Sequence, residues 1–297
     1  MKVVVGASSF AADSDKAINL LLEKGIEVVK NPYGRKMTQE EIIHHLEGAD
    51  GLLAGLEPLN DEVLSKASQL KAIARIGIGM DNVDQEAARR YGIKVSNTPE
   101  GPTNAVAEMV LAALLAIGHQ IVPANNDIHA GIWKKRMGFS IDGLNVLIIG
   151  YGHIGKRVAE VLRKFNVNLL IYDKYNQTES NCTLEEGLKK ADVITLHAAG
   201  KDEILNRELL NMTQKGVIIL NSARGGLINE DSLYDGLKNG NIGGFWGDVF
   251  WEEPYKGKLI ECDNAILTPH ISTYTRACRD SMETQAVLNL LEDLKNV

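Results

Sequence analysis

The stretch NVLIIGYGHIGKRVAEVL, residues 145–162, decides the fold. It reads as a fully apolar strand, a glycine turn and a helix. In the G-x-G-x-x-G of the turn, Gly150 permits the tight reversal and Gly152 lets the backbone approach a pyrophosphate. Gly155 lets the helix pack closely on the sheet. The first turn of that helix, with His153 and Ile154, presents N–H groups and a positive dipole end to the phosphates. Such a motif arises by chance in a chain with 28 glycines, so its weight comes from what flanks it. The next strand, LLIYD, ends in Asp173 at the distance of a ribose-binding carboxylate. A carboxylate there accepts from the ribose hydroxyls and repels a 2′-phosphate, so the spacing predicts NAD in preference to NADP. Lys156 and Lys174 are the nearby cations that would soften this preference.

Upstream, KVVVGA (2–7), GIEVVK (25–30), GLLAG (51–55), LKAIARIG (70–77) and IKVSN (93–97) read as strands. Helical patterns fall between them at 15–24, 38–46, 60–67 and 83–91, and Thr38 with Glu41 forms a capping-box signature. A longer helix runs from about residue 104 to 118 or beyond. Its apolar part, 105–118, is interrupted by Glu108 and reads as a buried helix, too short for a membrane span. The segment through Trp133 and Arg136 is polar and without period. Downstream, DVITLH (192–197), VIILNSA (217–223) and AILTPH (265–270) continue the strands, and a last helix covers about 275–295. Strands alternating with helices mean parallel sheets covered on both faces. The expected class is therefore α/β, with two Rossmann-like/flavodoxin-like parallel-sheet domains separated by an active-site cleft. A flavodoxin-like substrate-binding domain takes 1–97 plus 272–297, and an NAD-binding Rossmann domain takes 98–271.

Composition fits this organisation. A chain of 297 residues, 44% hydrophobic and 24% charged, suits two globular domains. The net charge of −7 leaves no basic excess for nucleic acid or a membrane surface. A small anionic substrate needs only one well-placed arginine. Cys182, Cys262 and Cys278 are scattered, with no C-x-x-C pair. No metal site or disulfide framework is expected, and a reducing cytoplasm fits. The N-terminal MKVVVGASSF is too brief an apolar run for a signal peptide.

Three further clusters lie at strand ends, where open α/β sheets bind ligands. They are NSARGGLINE (221–230) with Arg224, GDVFWEEP (247–254) with Asp248, Glu252 and Glu253, and LTPHIST (267–273) with His270. An arginine grips a carboxylate with two prongs. A histidine serves as acid or base near neutrality, and a glutamate beside it favours its charged form. Taken singly, each has a plainer reading as a surface arginine, a solvated acidic pair or a buried histidine. Their joint occurrence is what suggests chemistry.

In these clusters, together with RIGIGMDNVD (75–84), NTPEGPTNAVAE (97–108) and the glycine turn with Asp173, the chain resembles the D-isomer-specific 2-hydroxyacid dehydrogenases. Within that family it is most similar to the members that act on 3-phosphoglycerate in serine biosynthesis. The motifs run in family order over nearly the whole chain. The resemblance implies an NAD-dependent exchange between a D-2-hydroxy acid and a 2-oxo acid, with 3-phosphoglycerate and 3-phosphohydroxypyruvate as the first expected pair. Arg224 would bind the substrate's carboxylate and carbonyl oxygen. His270 would take the hydroxyl proton, oriented by Glu253. Asp248 would hold the nicotinamide carboxamide, Ser222, Ala223 and Ala198 would line the cofactor, and Val106 would lie near the nicotinamide. Arg75 and the backbone N–H groups around Gly77 and Ile78 would complete the substrate site. A dimer-forming arm around Trp133 is implied as well, hence a homodimer or higher homo-oligomer.

The chain departs from the family pattern in places. HAAG has Ala198 and Ala199 where a proline commonly follows, and Ile78 stands where phosphoglycerate enzymes often have threonine. Ala54, Gly55 and Glu57 occupy a loop that carries an arginine in some of them. Arg75 remains, and Lys134, Lys135 and Arg136 stand within a partner subunit's expected reach of a phosphate. With no residue after Val297, no appended regulatory domain and no serine feedback are expected. Glyoxylate, hydroxypyruvate or a branched 2-oxo acid stay open as substrates. A dinucleotide-sensing corepressor-like binding protein stays open as a non-enzymatic alternative.

Overall fold

The computed structural model describes residues 1–200 and 202–295, arranged as two units, Met1–Pro102 with Thr273–Val297, and Thr103–Ser272. Asn296 and Val297, at the end of the expected 272–297 stretch, lie outside the described residues.

The first unit alternates β1 (Lys2–Val5), α1 (Lys16–Leu22), β2 (Glu27–Val29), α2 (Gln39–His45), β3 (Gly51–Ala54), α3 (Asp61–Lys66), β4 (Ala72–Arg75), α4 (Gln85–Arg90) and β5 (Lys94–Ser96). Every pairing in its sheet is parallel, in the order β2-β1-β3-β4-β5. All four residues of β3 are buried, because helices cover both faces. One face packs Val4, Leu52 and Ile73 against Ile42, Val63, Leu64 and Ala88. Local chemistry sets the helix starts. Thr38 and Glu41 close a reciprocal capping box on α2, and Asn60 and Asp84 cap α3 and α4. Each such cap contributes about 1 kcal/mol.

The second unit begins within α5 (Glu100–Gly118) and continues through α6 (Ile121–His129), β6 (Asn145–Ile149), α7 (His153–Leu162), β7 (Asn168–Tyr172), α8 (Leu184–Lys190), β8 (Val193–Leu196), α9 (Arg207–Leu210), β9 (Val217–Asn221), α10 (Glu230–Asn239), β10 (Ile242–Gly247) and β11 (Ala265–Leu267). The last helix, α11 (Arg276–Lys295), returns to the first unit. The second sheet is also wholly parallel, ordered β11-β10-β9-β8-β6-β7. Strand order reverses between β6 and β8, since β7 lies on one side of β6 and β8 on the other. That is the switch point where the carboxyl ends of an open α/β sheet leave a crevice.

Two elements differ from expectation. α6 stands where an irregular segment was expected. Gln120 takes a left-handed conformation (φ 56°), breaks the helical run after α5 and starts a new helix with no buried residue. Without a core-facing stripe there was no period to read. β10 escaped the strand reading because Gly243, Gly244 and Gly247 interrupt its apolar pattern. Gly244 makes room for α5, since a Cβ there would sit 3.0 Å from Ile117 Cγ2. By length and composition α5 is apolar enough to cross a membrane, with mean hydropathy 1.4. Yet Val106, Val110, Leu114 and Ile117 pack with Ile148, Val158, Ile218 and Trp246, which makes it a core helix.

Candidate active site

The glycine turn leaves β6 at Gly150, whose φ of 93° favours glycine. A Cβ on Gly150 would also lie 2.6 Å from Ala198 Cα, so the β8 loop presses directly on the turn. A Cβ on Gly155 would collide with Gly150 O, which is how the helix comes so near the strand. Gly152 is the N-cap of α7, has no side chain to cap it, and would place a Cβ in open space. The unsatisfied N–H groups of the first helical turn, with His153 and Ile154, therefore remain for a ligand. This arrangement fits a dinucleotide pyrophosphate.

Asp173 follows β7 and already organises the same turn. Its Oδ2 accepts from Tyr151 N at 2.6 Å, and Oδ1 accepts from Tyr175 N and Asn176 N, each at 2.8 Å. Burial pushes its carboxyl up, but these three N–H groups outweigh burial and hold it below the ordinary carboxylate value. Lys156, expected to soften coenzyme choice, is paired with Glu179 at 2.8 Å.

Arg224, Glu253 and His270 come from three adjacent strand ends, after β9, β10 and β11. Buried Asn221 shapes the first of these turns. Its amide donates to Arg224 O at 2.9 Å and its Oδ1 accepts from Ala223 N at 3.0 Å, which fixes Ser222 between them. Arg224 Nη1 donates to Ala223 O at 2.6 Å. Gly225 then lets the next loop close in, because a Cβ on it would sit 2.5 Å from Phe250 O. Glu253 Oε2 meets His270 Nδ1 at 3.0 Å, and its Oε1 accepts from Phe250 N at 3.2 Å. Burial raises the Glu253 carboxyl. The His270 bond and charge, the Phe250 N–H and nearby Arg224 outweigh that effect and lower it. His270 has φ 54°, a left-handed backbone uncommon outside glycine. Glu252 is exposed and has no part in the pair.

Other expected residues fall less simply. Val106 is buried in the core. The Gly77 N–H, expected to meet a carboxylate, donates to buried Thr98 Oγ1 at 2.7 Å, so that donor is already committed. Beside it, Arg75 Nη1 donates back to Ile76 O. Arg136, expected to reach a phosphate, is held by two bonds to Asp127 at 2.7 and 2.9 Å. The carboxylate of Asp248, expected to hold a carboxamide, is buried and takes four hydrogen bonds from residues 268–272.

Sequence reading missed His197 at the end of β8. Its Nε2 lies 2.9 Å from Thr195 Oγ1 and its Nδ1 3.5 Å from Ser222 Oγ. Burial pushes the imidazole down from 6.5 to about 3, so it is neutral at ordinary pH. Among the described residues no cluster of His, Cys, Asp and Glu is arranged to hold a metal.

Residues 111–272 match the model of the D-isomer specific 2-hydroxyacid dehydrogenase NAD-binding domain. The chain belongs to this family. It is 32% identical to the glyoxylate reductase of Pyrococcus furiosus over 298 residues, covering 93% of this chain and 88% of that one. It is 36% identical to the D-3-phosphoglycerate dehydrogenase of Methanocaldococcus jannaschii, with 91% of this chain but only 54% of that longer protein covered. The crystal structure of the TT0316 protein from Thermus thermophilus is similar throughout, with a TM-score of 0.89, 34% identity, and coverage of 100% and 97%. This dehydrogenase is therefore an NAD-dependent oxidoreductase. The two sequence relatives named above carry different activities, glyoxylate reductase and D-3-phosphoglycerate dehydrogenase.

Proposed function

We propose that this dehydrogenase interconverts a D-2-hydroxy acid and its 2-oxo acid, with Arg224, Glu253 and His270 as the reacting set. The observation that carries the reading is the 3.0 Å contact between His270 Nδ1 and Glu253 Oε2, with Arg224 on the adjacent strand end. That contact orients the ring and leaves Nε2 to exchange a proton with the substrate oxygen. Arg224 binds the carboxylate and draws electron density from the carbonyl oxygen. Bound NAD supplies the hydride acceptor for oxidation, and NADH the donor for reduction. Gly150, Gly152, His153, Ile154 and Gly155 hold its pyrophosphate, Asp173 its adenosine ribose, and Ala198, Ser222, Ala223 and Val106 line the remainder. On the first unit, Arg75 and Ile78 are proposed as substrate residues. The committed Gly77 N–H supports the turn there without donating to a ligand.

For the substrate, a small unphosphorylated 2-oxo acid such as glyoxylate or hydroxypyruvate is the preferred reading. A phosphate dianion calls for guanidinium or ammonium groups with donors to spare. Arg136 is held by both of its bonds to the Asp127 carboxylate. Glu57 stands on the loop where an arginine was sought. The second reading, 3-phosphoglycerate and serine biosynthesis, draws its support from the 36% identity to a phosphoglycerate dehydrogenase. A homodimer is proposed through α6 and the arm behind it, where Trp133 is 86% and Met137 96% exposed. Three free cysteines support a cytoplasmic setting.

The test follows NADH consumption with glyoxylate, hydroxypyruvate and 3-phosphohydroxypyruvate, using the parent chain and Arg224→Ala. Two charged hydrogen bonds are together worth about 3–6 kcal/mol, so the variant should lose roughly 10²–10⁴-fold in kcat/KM while still binding NADH. Unchanged turnover would remove the arginine from the mechanism. Activity confined to 3-phosphohydroxypyruvate would reverse the substrate choice.

A further inference from the structure

Glu253 stands on a turn that faces solvent, residues 252–254 being exposed. A carboxylate so placed keeps its position only if the chain on either side is held. Two aromatic side chains, each two residues away, supply that hold. Trp251 Nε1 donates to Ile228 O at 2.9 Å. Tyr255 Oη donates to Glu230 Oε1 at 2.6 Å and accepts from Leu259 N at 3.1 Å. Burial and the Glu230 bond hold the phenol above its ordinary value, so it stays a donor. The Phe250 and Tyr255 rings stack with centroids 4.4 Å apart, which closes the base of the turn. Trp251 and Tyr255 also pack on the core that contains Leu227, Ile228 and Leu259. A Cβ on Gly257 would collide with both Tyr255 Oη and Glu230 Oε1, so glycine there admits their bond. Farther along, Lys258 pairs with Asp231, and Tyr234 donates to Glu261 at 3.1 Å. The segment is thus fastened to Ile228, Glu230, Asp231 and Tyr234, the stretch that opens α10 directly after the Arg224 turn.

We infer that Trp251 and Tyr255 are positioning residues that moor the Glu253 turn to the chain following Arg224. The two turns leave different strands, β9 and β10, and these moorings tie them into one body. Glu253 Oε2 is thereby held where it meets His270 Nδ1 at 3.0 Å, while Oε1 keeps the Phe250 N–H. Neither aromatic side chain is assigned a contact with substrate or cofactor; both act through the Glu253 carboxylate. This assignment rests on the reading of Glu253 and His270 as the acid–base pair, so the experiment must separate the two.

The variants are Trp251→Phe and Tyr255→Phe, which keep a ring and remove the polar atom, Tyr255→Leu, which removes the stack as well, and Glu253→Gln. Trp251→Phe and Tyr255→Phe are also made on the Glu253→Gln background. For each we would measure kcat and KM with the 2-oxo acid that the parent reduces, the pH profile of kcat, and NADH Kd by nucleotide fluorescence. Far-UV circular dichroism and Tm would establish folding. In the two Phe variants kcat should fall roughly three- to tenfold, the scale of one hydrogen bond, with an altered pH profile and little change in NADH Kd. Tyr255→Leu should lose more. On the Glu253→Gln background the same substitutions should lower kcat by less than about twofold further, because the group they hold is already gone. If Tyr255→Leu does not fold, the Phe variants, alone and combined with Glu253→Gln, carry the test. Undiminished losses on the Glu253→Gln background would make the aromatic pair general supports of the fold and overturn the inference. Parent-like kcat in all three aromatic variants would overturn it too. If Glu253→Gln turns over like the parent, it is the acid–base assignment that fails; an impaired Glu253→Gln beside unaffected aromatic variants defeats the mooring alone.

Discussion

Replacing His197 with glutamine should flatten the acid limb of this protein's stability. The imidazole sits at the end of β8 between Thr195 and Ser222, and burial lowers it from 6.5 to about 3. Between those two values the unfolded chain binds a proton that the folded chain refuses. The stability contribution is therefore whole above pH 6.5 and drains away as the pH falls towards the folded value. Each pH unit in that window is worth about 1.4 kcal/mol, so acidification from neutrality to about pH 5 should cost roughly 2 kcal/mol through this group. Trp133, Trp246 and Trp251 all belong to the same unit as His197. Urea unfolding followed by tryptophan fluorescence thus reports the unit in question. Carboxylates also titrate over this range, but their effect is common to parent and variant and cancels in the difference. The parent should lose about 2 kcal/mol more than His197→Gln between pH 7 and about pH 5. Glutamine keeps a polar group for Thr195, which limits loss at neutral pH. Equal losses in the two proteins would refute the reasoning and mean that the buried ring is protonated with ease.

Two other substitutions test the site's edges. Asp173→Ala removes the carboxylate proposed to meet the ribose and releases the Tyr151, Tyr175 and Asn176 N–H groups. The preference for NAD over NADP should fall by about tenfold or more, roughly 1.4 kcal/mol, as read from the ratio of kcat/KM values; undiminished discrimination would place coenzyme choice elsewhere. Trp133→Glu puts a charge on the most exposed tryptophan of the arm, 86% accessible. Sedimentation should show monomers in place of dimers, and an unchanged mass would move the subunit interface to another face.

Sequence made the parallel sheets legible because both of their faces are covered. β3, β6, β8 and β9 are nearly unbroken apolar runs, and punctuation by Thr38, Asn60 and the glycine turn marks where helices start. What it obscured follows from contacts distant in sequence. Gly244 of β10 leaves room for Ile117 and Gly243 for Gly216 O, which a local reading counts against a strand. α6 packs no residue into a core, so it shows no stripe. In the site, the residue types were visible, but the use of their atoms was not. Gly77 reads as a free donor in sequence, whereas Thr98, 21 residues away, accepts from it. Asp248 reads as a ligand group, and its bonds to Thr268, Ile271 and Ser272 become visible only in the fold. His197 was overlooked because a histidine closing an apolar strand carries no distinguishing neighbour in sequence; only Ser222, brought in from β9, reveals its setting.

The return of α11 to the first unit has a consequence for how the chain is made. The second unit is one uninterrupted stretch, 103–272, and holds all of its strands and their covering helices. The first unit is split, and α11 packs on β3, β4 and β5 and beside α1. A Cβ on Gly51 would lie 3.2 Å from Leu290 and Leu294, which shows how closely this last helix lies on the sheet. The segment synthesised first therefore waits, with the β3–β5 part of one sheet face uncovered, until α11 has left the ribosome. The later segment can close its core earlier. In this dehydrogenase the order of synthesis and the order of completion are reversed, and the unit that carries the proposed chemistry is the one able to finish first.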